Sequence, residues 1–226
     1  MDGPQSTSEL LVAFQQFLIV LTHELTYLRG IYPSEAFGQR RVYETVVHQC
    51  RHPKVVEWIE NLSVVCMEQI RRGTVHKVSI VILREHDKRP LERFALDIRD
   101  FPKVASSELD QPLPSDAHVT WGQIIDQYRS CLRALALESG KYGPIKEDDD
   151  NPLTFTVLLE LSDNQTMDVQ TSPWIVADAA RYHEHEEHPR IRSIPIRFVD
   201  AGPASFHLVL EEERSRAKQR ANPSPP

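Results

Sequence analysis

The densest cluster of side chains that could bind a metal ion lies at residues 182–189, YHEHEEHP. The imidazoles of His183, His185 and His188 are typical zinc ligands, and the neighbouring glutamates could orient them. On an extended strand, however, His183 and His185 share one face while His188 lies on the other, and Pro189 favours a turn. We therefore interpret the cluster as an exposed polar turn and predict no metal site, with coordination by the three histidines as the alternative.

Local catalytic motifs are absent from the sequence. The eight glycines form neither G-x-G-x-x-G nor the phosphate-binding G-x-x-x-x-G-K-[ST]. The nucleophile motif G-x-S-x-G and the metalloprotease motif H-E-x-x-H are also missing. We therefore predict a protein that is not an enzyme and needs no cofactor. A hydrolase assembled from distant residues is a remote alternative, because catalytic groups need not be neighbours in sequence.

Cysteine usage and hydropathy predict a soluble, reduced, intracellular protein. Cys50, Cys66 and Cys131 are odd in number and form no C-x-x-C pair, which argues against a disulfide framework or a thiolate zinc site. The longest uninterrupted apolar run covers only residues 17–21, whereas a membrane helix needs about 20 residues. We therefore expect no membrane association.

The net charge argues against direct binding of nucleic acid. Lys and Arg total 26 and Asp and Glu total 33, which gives a formal charge of −7. Because affinity for phosphates depends mostly on positive charge, any contact with DNA should be indirect.

Two tryptophans and two arginines are the candidate binding residues. Trp58 lies off the apolar stripe of its helix, and Trp174 follows a proline. Such aromatics are usually peripheral core, but indoles also form pockets for proline-containing peptides. Arg129 and Arg133 are four residues apart on a third helix and so share one face, which either solvent or a protein partner could cover.

Hydrophobic periodicity indicates which elements position these residues. Apolar residues at helical spacing predict a first helix through 11–28, a second from Pro53 to Gly73 and a third around 124–135. Alternating patterns predict a hairpin at 78–83 and 94–98, a strand at 155–161, and shorter extended segments at 172–178, 191–198 and 206–210. Residues 37–50 are predicted to form a connection. This order predicts an α+β fold with three helices packed on an antiparallel sheet.

Several segments, in the same order, resemble the HORMA-domain family, and within it the accessory subunits of translesion DNA polymerase zeta. They are YLRGIYP at 27–33, RPLERF at 89–94, TFTVL at 154–158, SPWIVAD at 172–178, HPRI at 188–191 and LEEER at 210–214. The resemblance covers residues from about 10 to 214. It implies a flexible lead at 1–9, a HORMA domain at 10–213 with a C-terminal safety belt at about 166–213, and a disordered tail at 214–226.

The resemblance also implies a function and a set of partners. Family members are adaptors in which the belt closes over a short partner peptide. We expect this chain to capture a proline-rich peptide of the catalytic subunit of polymerase zeta and thereby to support translesion synthesis and DNA damage tolerance. A second HORMA domain, a Y-family polymerase scaffold and an AAA+ remodeller are the further expected partners, with the nucleus, and secondarily the cytoplasm, as the location. A spindle-checkpoint or meiotic HORMA signalling protein is the alternative.

Family positions transfer residue by residue. Trp58 matches an aromatic on the second helix, and Trp174 and Val176 match a P-W-I-[LV] motif, so these three are the expected peptide-binding residues. Arg133 matches an arginine in the contact between two HORMA domains, and Arg129 lies beside it. The sequence departs from the family at two further positions. Gly30 stands where we expect an acid and Gln39 where we expect a base. Either Glu24, Glu35 or Glu138 supplies the negative charge at that contact, or the contact is weaker here than in relatives.

Overall fold

The computed structural model describes residues 3–103, 108–113, 119–141, 143–145, 148, 150–162, 174 and 191–213. Within them, three α-helices accompany a five-stranded antiparallel sheet and a separate two-stranded hairpin. The predicted α+β class is confirmed.

Helix α1 (Thr7–Leu28) forms the centre of the core. The hydroxyl of Ser6 accepts a hydrogen bond from the backbone N–H of Glu9 and so caps its first turn. The helix therefore begins inside the stretch 1–9 that we predicted as a flexible lead, and that boundary was wrong. By length and composition α1 could cross a membrane, but 61% of its apolar window is buried inside the protein, as in the core helix of a soluble protein.

The segment predicted as a connection is a β-hairpin. Strands β1 (Phe37–Val42) and β2 (Thr45–Cys50) pair in an antiparallel ladder, after a short 3-10 turn at Ser34–Ala36. Two-residue hairpin turns with positive φ at both central residues favour Asn and Gly. Here the turn residues are Tyr43 and Glu44, with φ of 49° and 56°, so the sequence carries no recognisable turn signal.

Helices α2 (Pro53–Arg71) and α3 (Trp121–Gly140) confirm the predicted second and third helices. Pro53 occupies the first turn of α2, and Thr120 and Gln123 form a reciprocal capping box at the start of α3. The predicted inner faces are largely buried. The buried members are Ile59, Cys66 and Ile70 on α2 and Ile124, Tyr128, Cys131, Leu132 and Leu135 on α3.

The main sheet consists of β3 (Val75–Arg84), β4 (Pro90–Asp97), β5 (Leu153–Leu161), β6 (Ile191–Val199) and β7 (Phe206–Glu213). Its strand order is β5-β3-β4-β7-β6. Every residue of β3 from 78 to 83 is buried, so this strand is covered on both faces of the sheet.

This strand order places consecutive strands at opposite edges of the sheet. Strand β5 forms one edge, and β6, the next strand in sequence, forms the other. Residues 162–190 must therefore connect the two edges, and the chain then returns through β7, which pairs with β4.

One polar side chain in α1 is buried without a partner. His23 is 2% exposed, and neither ring nitrogen has a hydrogen bond within the described part of the chain. Burial disfavours the charged form and lowers its pKa from 6.5 to about 4.

We predict that His23 makes the fold sensitive to mild acid. Between pH 6.5 and 4 the unfolded state binds the proton and the folded state does not, so stability is complete above this window and falls within it. At pH 5 the loss is about 2 kcal/mol. Urea unfolding at pH 7.5 and 5 should show that His23→Phe loses less stability than the wild type. An equal loss in both proteins would contradict this assignment.

Candidate peptide-binding site

The two edges of the main sheet differ in their capacity to pair with another strand. Edge strands present unpaired backbone N–H and C=O groups, and proline, bulges and charges are the usual protections. Strand β6 has all three, with Pro195, a register shift between Pro195 and Arg197, and the exposed Arg192.

Strand β5 lacks these protections. Its sequence LTFTVLLEL contains no proline and one charged residue, Glu160, and its pairing with β3 is regular from Val78 to Arg84. Among the strands that the structure describes, β5 pairs only with β3. The edge of β5 is therefore the one suited to accept an added strand.

Trp58 lies beside this edge. Its ring meets the ring of Phe155 on β5 edge to face, with centroids 4.9 Å apart and planes at 88°. Phe155 is buried, whereas Trp58 is 43% exposed. The contact therefore fixes the indole on β5 and leaves nearly half of it available to a ligand.

A small crevice of about 10 Å³, enough for about one water molecule, lies between α1, α2 and β5, and Ile59 in its lining follows Trp58 in sequence. Its lining consists of Leu18, Thr22, Ile59, Leu62, Ser63, Cys66 and Val157. The hydroxyls of Thr22 and Ser63 donate to backbone carbonyls within their own helices, both at 2.7 Å, so the remaining surface is largely apolar.

The crevice does not provide a nucleophile. Burial raises the pKa of the Cys66 thiol to about 12, so the thiol stays protonated and unreactive near neutral pH. Within the described ranges, no group of three His, Cys, Asp or Glu side chains could hold a metal ion. The arrangement around β5 offers a partly exposed indole and a strand edge that can pair with a backbone.

Of the other two predicted peptide-binding residues, the structure describes Trp174 but not Val176. Trp174 is partly buried and packs against the same hydrophobic core to which Phe155 belongs. Val176 lies outside the described residues, as do His183, His185 and His188. The structure thus brings Trp58 to the β5 edge and Trp174 to the core that supports that edge. The peptide-binding roles of Trp58, Trp174 and Val176 remain predictions.

The predicted contact face on α3 contains one arginine that is paired within the chain and one that is exposed. Arg129 forms ion pairs with Glu44, in the β1–β2 turn, and with Asp126. Arg133 is exposed, and Leu137, one helical turn further on, is 74% exposed. Arginine is enriched at the centres of protein interfaces. Sequence periodicity did not reveal Leu137, because an outward apolar residue breaks no helical pattern.

The structure explains the glycine found where we expected an acid. Gly30 ends α1 with φ of +66°, and a Cβ there would lie 3.1 Å from the Cβ of Pro144. Any other residue would be strained in this left-handed conformation.

Of the alternative carboxylates, Glu24 is buried and accepts a hydrogen bond from the backbone of His48 at 2.6 Å, and Glu138 pairs with Lys141. Glu35 is exposed.

Three helices packed on an antiparallel sheet define an α+β domain. Residues 11–197 match the sequence profile of the HORMA domain, and the chain belongs to the HORMA domain family. The resemblance found in the sequence is thereby confirmed.

Individual relatives cover most of the chain. It is 27% identical to the DNA polymerase zeta processivity subunit of Schizosaccharomyces pombe, over 93% of this chain and 96% of that protein. It is 28% identical to the mitotic spindle assembly checkpoint protein MAD2B of Homo sapiens, over 87% and 88% of the two chains.

Solved structures confirm the HORMA fold. A chain of the crystal structure of the mitotic checkpoint complex superposes with a TM-score of 0.69 at 13% identity, covering 92% of this chain and 97% of that one. HTP-2 of C. elegans bound to the HIM-3 closure motif gives 0.62 at 14% identity, with coverage of 93% and 92%.

Proposed function

We propose that this protein is a non-catalytic adaptor that binds a proline-rich peptide of the polymerase zeta catalytic subunit as an additional strand along β5. The observation that carries the proposal is the asymmetry of the sheet. Strand β6 carries a proline, a bulge and charges at its edge, whereas β5 is regular and nearly uncharged. Main-chain hydrogen bonds to β5 would provide affinity without regard to sequence.

Side-chain contacts would provide the sequence preference. In an added strand, alternate residues point to the same face of the sheet, so every second peptide residue would point toward Trp58 and the crevice. The exposed part of the indole is a flat apolar surface on which a proline ring can stack. This surface favours a peptide that contains proline.

The chain path supports retention of the peptide by enclosure. Residues 162–190 connect the β5 edge to β6, and β7 docks on β4 at the far side. The hairpin β6–β7 is also part of the core, because the ring of Phe206 lies 5.4 Å from that of Phe14 and 5.5 Å from that of Phe17. A belt anchored in this way would open rarely, so the bound peptide would dissociate slowly.

The names of the relatives favour a polymerase role. Both the fission yeast relative and the Arabidopsis thaliana relative, which is 27% identical over 89% of this chain, are called DNA polymerase zeta processivity subunits. The animal relatives carry a checkpoint name, which keeps checkpoint signalling as the second candidate. Affinity purification from nuclear extract discriminates between them, since the proposal requires a very large B-family polymerase chain and the alternative requires checkpoint partners.

We predict that Trp58→Ala and Trp174→Ala each weaken peptide binding by at least about 2 kcal/mol, roughly 30-fold in Kd, because truncating a buried aromatic anchor commonly costs this much. Titration of a fluorescent proline-rich polymerase peptide measures the effect, with circular dichroism as the check on folding. Val64→Ala is the control, because Val64 is exposed on the same helix as Trp58 but does not line the crevice. Unchanged affinity in both tryptophan variants would remove these residues from the site.

We also propose that the exposed α3 face binds a second HORMA domain, with Arg133 at its centre and Leu137 beside it. Arg129 would act mainly by joining α3 to the β1–β2 turn, since its guanidinium already pairs within the chain.

Arg133→Ala should shift the protein toward monomer and leave peptide affinity unchanged, because α3 contributes no residue to the crevice beside β5. Sedimentation velocity at several concentrations measures the shift. Arg72→Ala, which removes an exposed arginine from the end of α2, is the matched control. A wild type that is monomeric at all concentrations would exclude this contact between copies of the chain.

A further inference from the structure

The end of α1 carries a buried guanidinium. Arg29 is 1% exposed, and its Nη2 donates to Oε1 of Glu92 on β4 at 2.7 Å. Its Nη1 donates to the backbone carbonyls of Ser139 at 3.4 Å and Gly143 at 3.1 Å. Desolvation lowers the pKa of Arg29 to about 10, so the side chain remains charged at neutral pH.

A second carboxylate reaches this buried charge from the C-terminal hairpin. Glu212 on β7 is the register partner of Glu92 on β4, and only 2% of Glu212 is exposed. The negative charge of Glu212 favours the charged form of Arg29. Because register partners point to the same face of a sheet, Glu212 lies on the face where Glu92 binds Arg29.

The preceding residue makes a matching pair on the opposite face of the sheet. Glu211 on β7 faces Arg93 on β4, with Oε2 and Nη1 3.7 Å apart. Arg93 also pairs at 3.3 Å with Glu160 of β5, which in turn pairs with Lys77 of β3 at 3.1 Å. This network links the terminal hairpin to the edge strand β5.

We propose that Glu211 and Glu212 form a two-sided charge latch that holds the hairpin β6–β7 on β4 in a single register. Because side chains alternate across a strand, a slip of one residue would move Glu212 away from Arg29 and Glu211 away from Arg93. A carboxylate buried without its cation is strongly unfavourable. A one-residue slip would also move Phe206, Leu208 and Leu210 out of the core, so the charges and the apolar face of β7 specify the same register.

The latch also determines how readily the chain opens. Residues 162–190 are tethered at one end by β5 and at the other by the hairpin, so release of β7 from β4 frees one end of this segment. The consequence for a bound peptide rests on the proposed function, whereas the anchoring of the hairpin does not.

Hydrogen exchange on the full chain without peptide tests the anchoring. In Glu212→Gln, exchange of the β7 amides should accelerate at least about tenfold, while β3 amides at 78–83 stay unchanged, because the hairpin opens locally. Glu211→Gln, whose side chain is partly exposed, should show the same selectivity with a smaller effect. Glu68→Gln, an exposed carboxylate on α2, is the control for loss of one charge.

Equal acceleration in β7 and β3 would indicate general destabilisation and would overturn the latch, as would unchanged exchange in β7. If Glu212→Gln does not fold, Arg29→Lys is the second variant, since it keeps the charge but loses the planar fork of donors. The same selective acceleration is expected there. A faster off-rate of the proline-rich peptide from Glu211→Gln supports the link between the latch and peptide capture. A wild type that binds no peptide would refute the proposed function. The hydrogen-exchange comparison tests the latch in either case.

Discussion

The packing of this domain depends on the burial of one charge, the guanidinium of Arg29. A buried guanidinium is strongly unfavourable unless its charge is paired. The partners of Arg29 come from β4 and from the end of α3, so its hydrogen bonds fix the end of α1 against both. The left-handed turn at Gly30 follows directly, since the chain must leave α1 close to Pro144. The end of α1 is thus tied to β4 and to the end of α3 by a single electrostatic requirement.

The same arrangement makes the two edges of the sheet different. The core formed by α1 and the central strands supports β5 from one side, while the hairpin β6–β7 closes the other end of the sheet and protects it. A domain with one protected edge and one regular edge can take up a strand in only one place. Strand addition of this kind needs no catalytic group. Within the described part of the chain, burial raises the pKa values of the Cys66 and Cys131 thiols to about 12.

Strong periodicity made most of the elements predictable, and the exceptions have physical causes. The helices and the strands at 78–83 and 155–161 were evident because their apolar residues repeat at 3.6 or 2 positions. The β1–β2 hairpin was missed because Tyr43 and Glu44 adopt positive φ without glycine or asparagine. That omission concealed the partner of Arg129, since Glu44 belongs to the missed turn.

The sequence placed Trp58 outside the helix core but could not show that Phe155 holds it at the sheet edge. Arg29 gave no signal at all, because burial of an arginine is decided by partners from distant parts of the chain.

The central claim is that a peptide adds to the sheet along β5, and residue-resolved amide exchange of β5 tests it most directly. In an edge strand, alternate N–H groups point away from the sheet, and an added strand would bond to them. Saturation with the proline-rich peptide should therefore protect every second amide between 153 and 161 and leave the β6 amides unchanged. Binding that leaves the outward amides of β5 unprotected, or that protects β6 instead, would contradict the account.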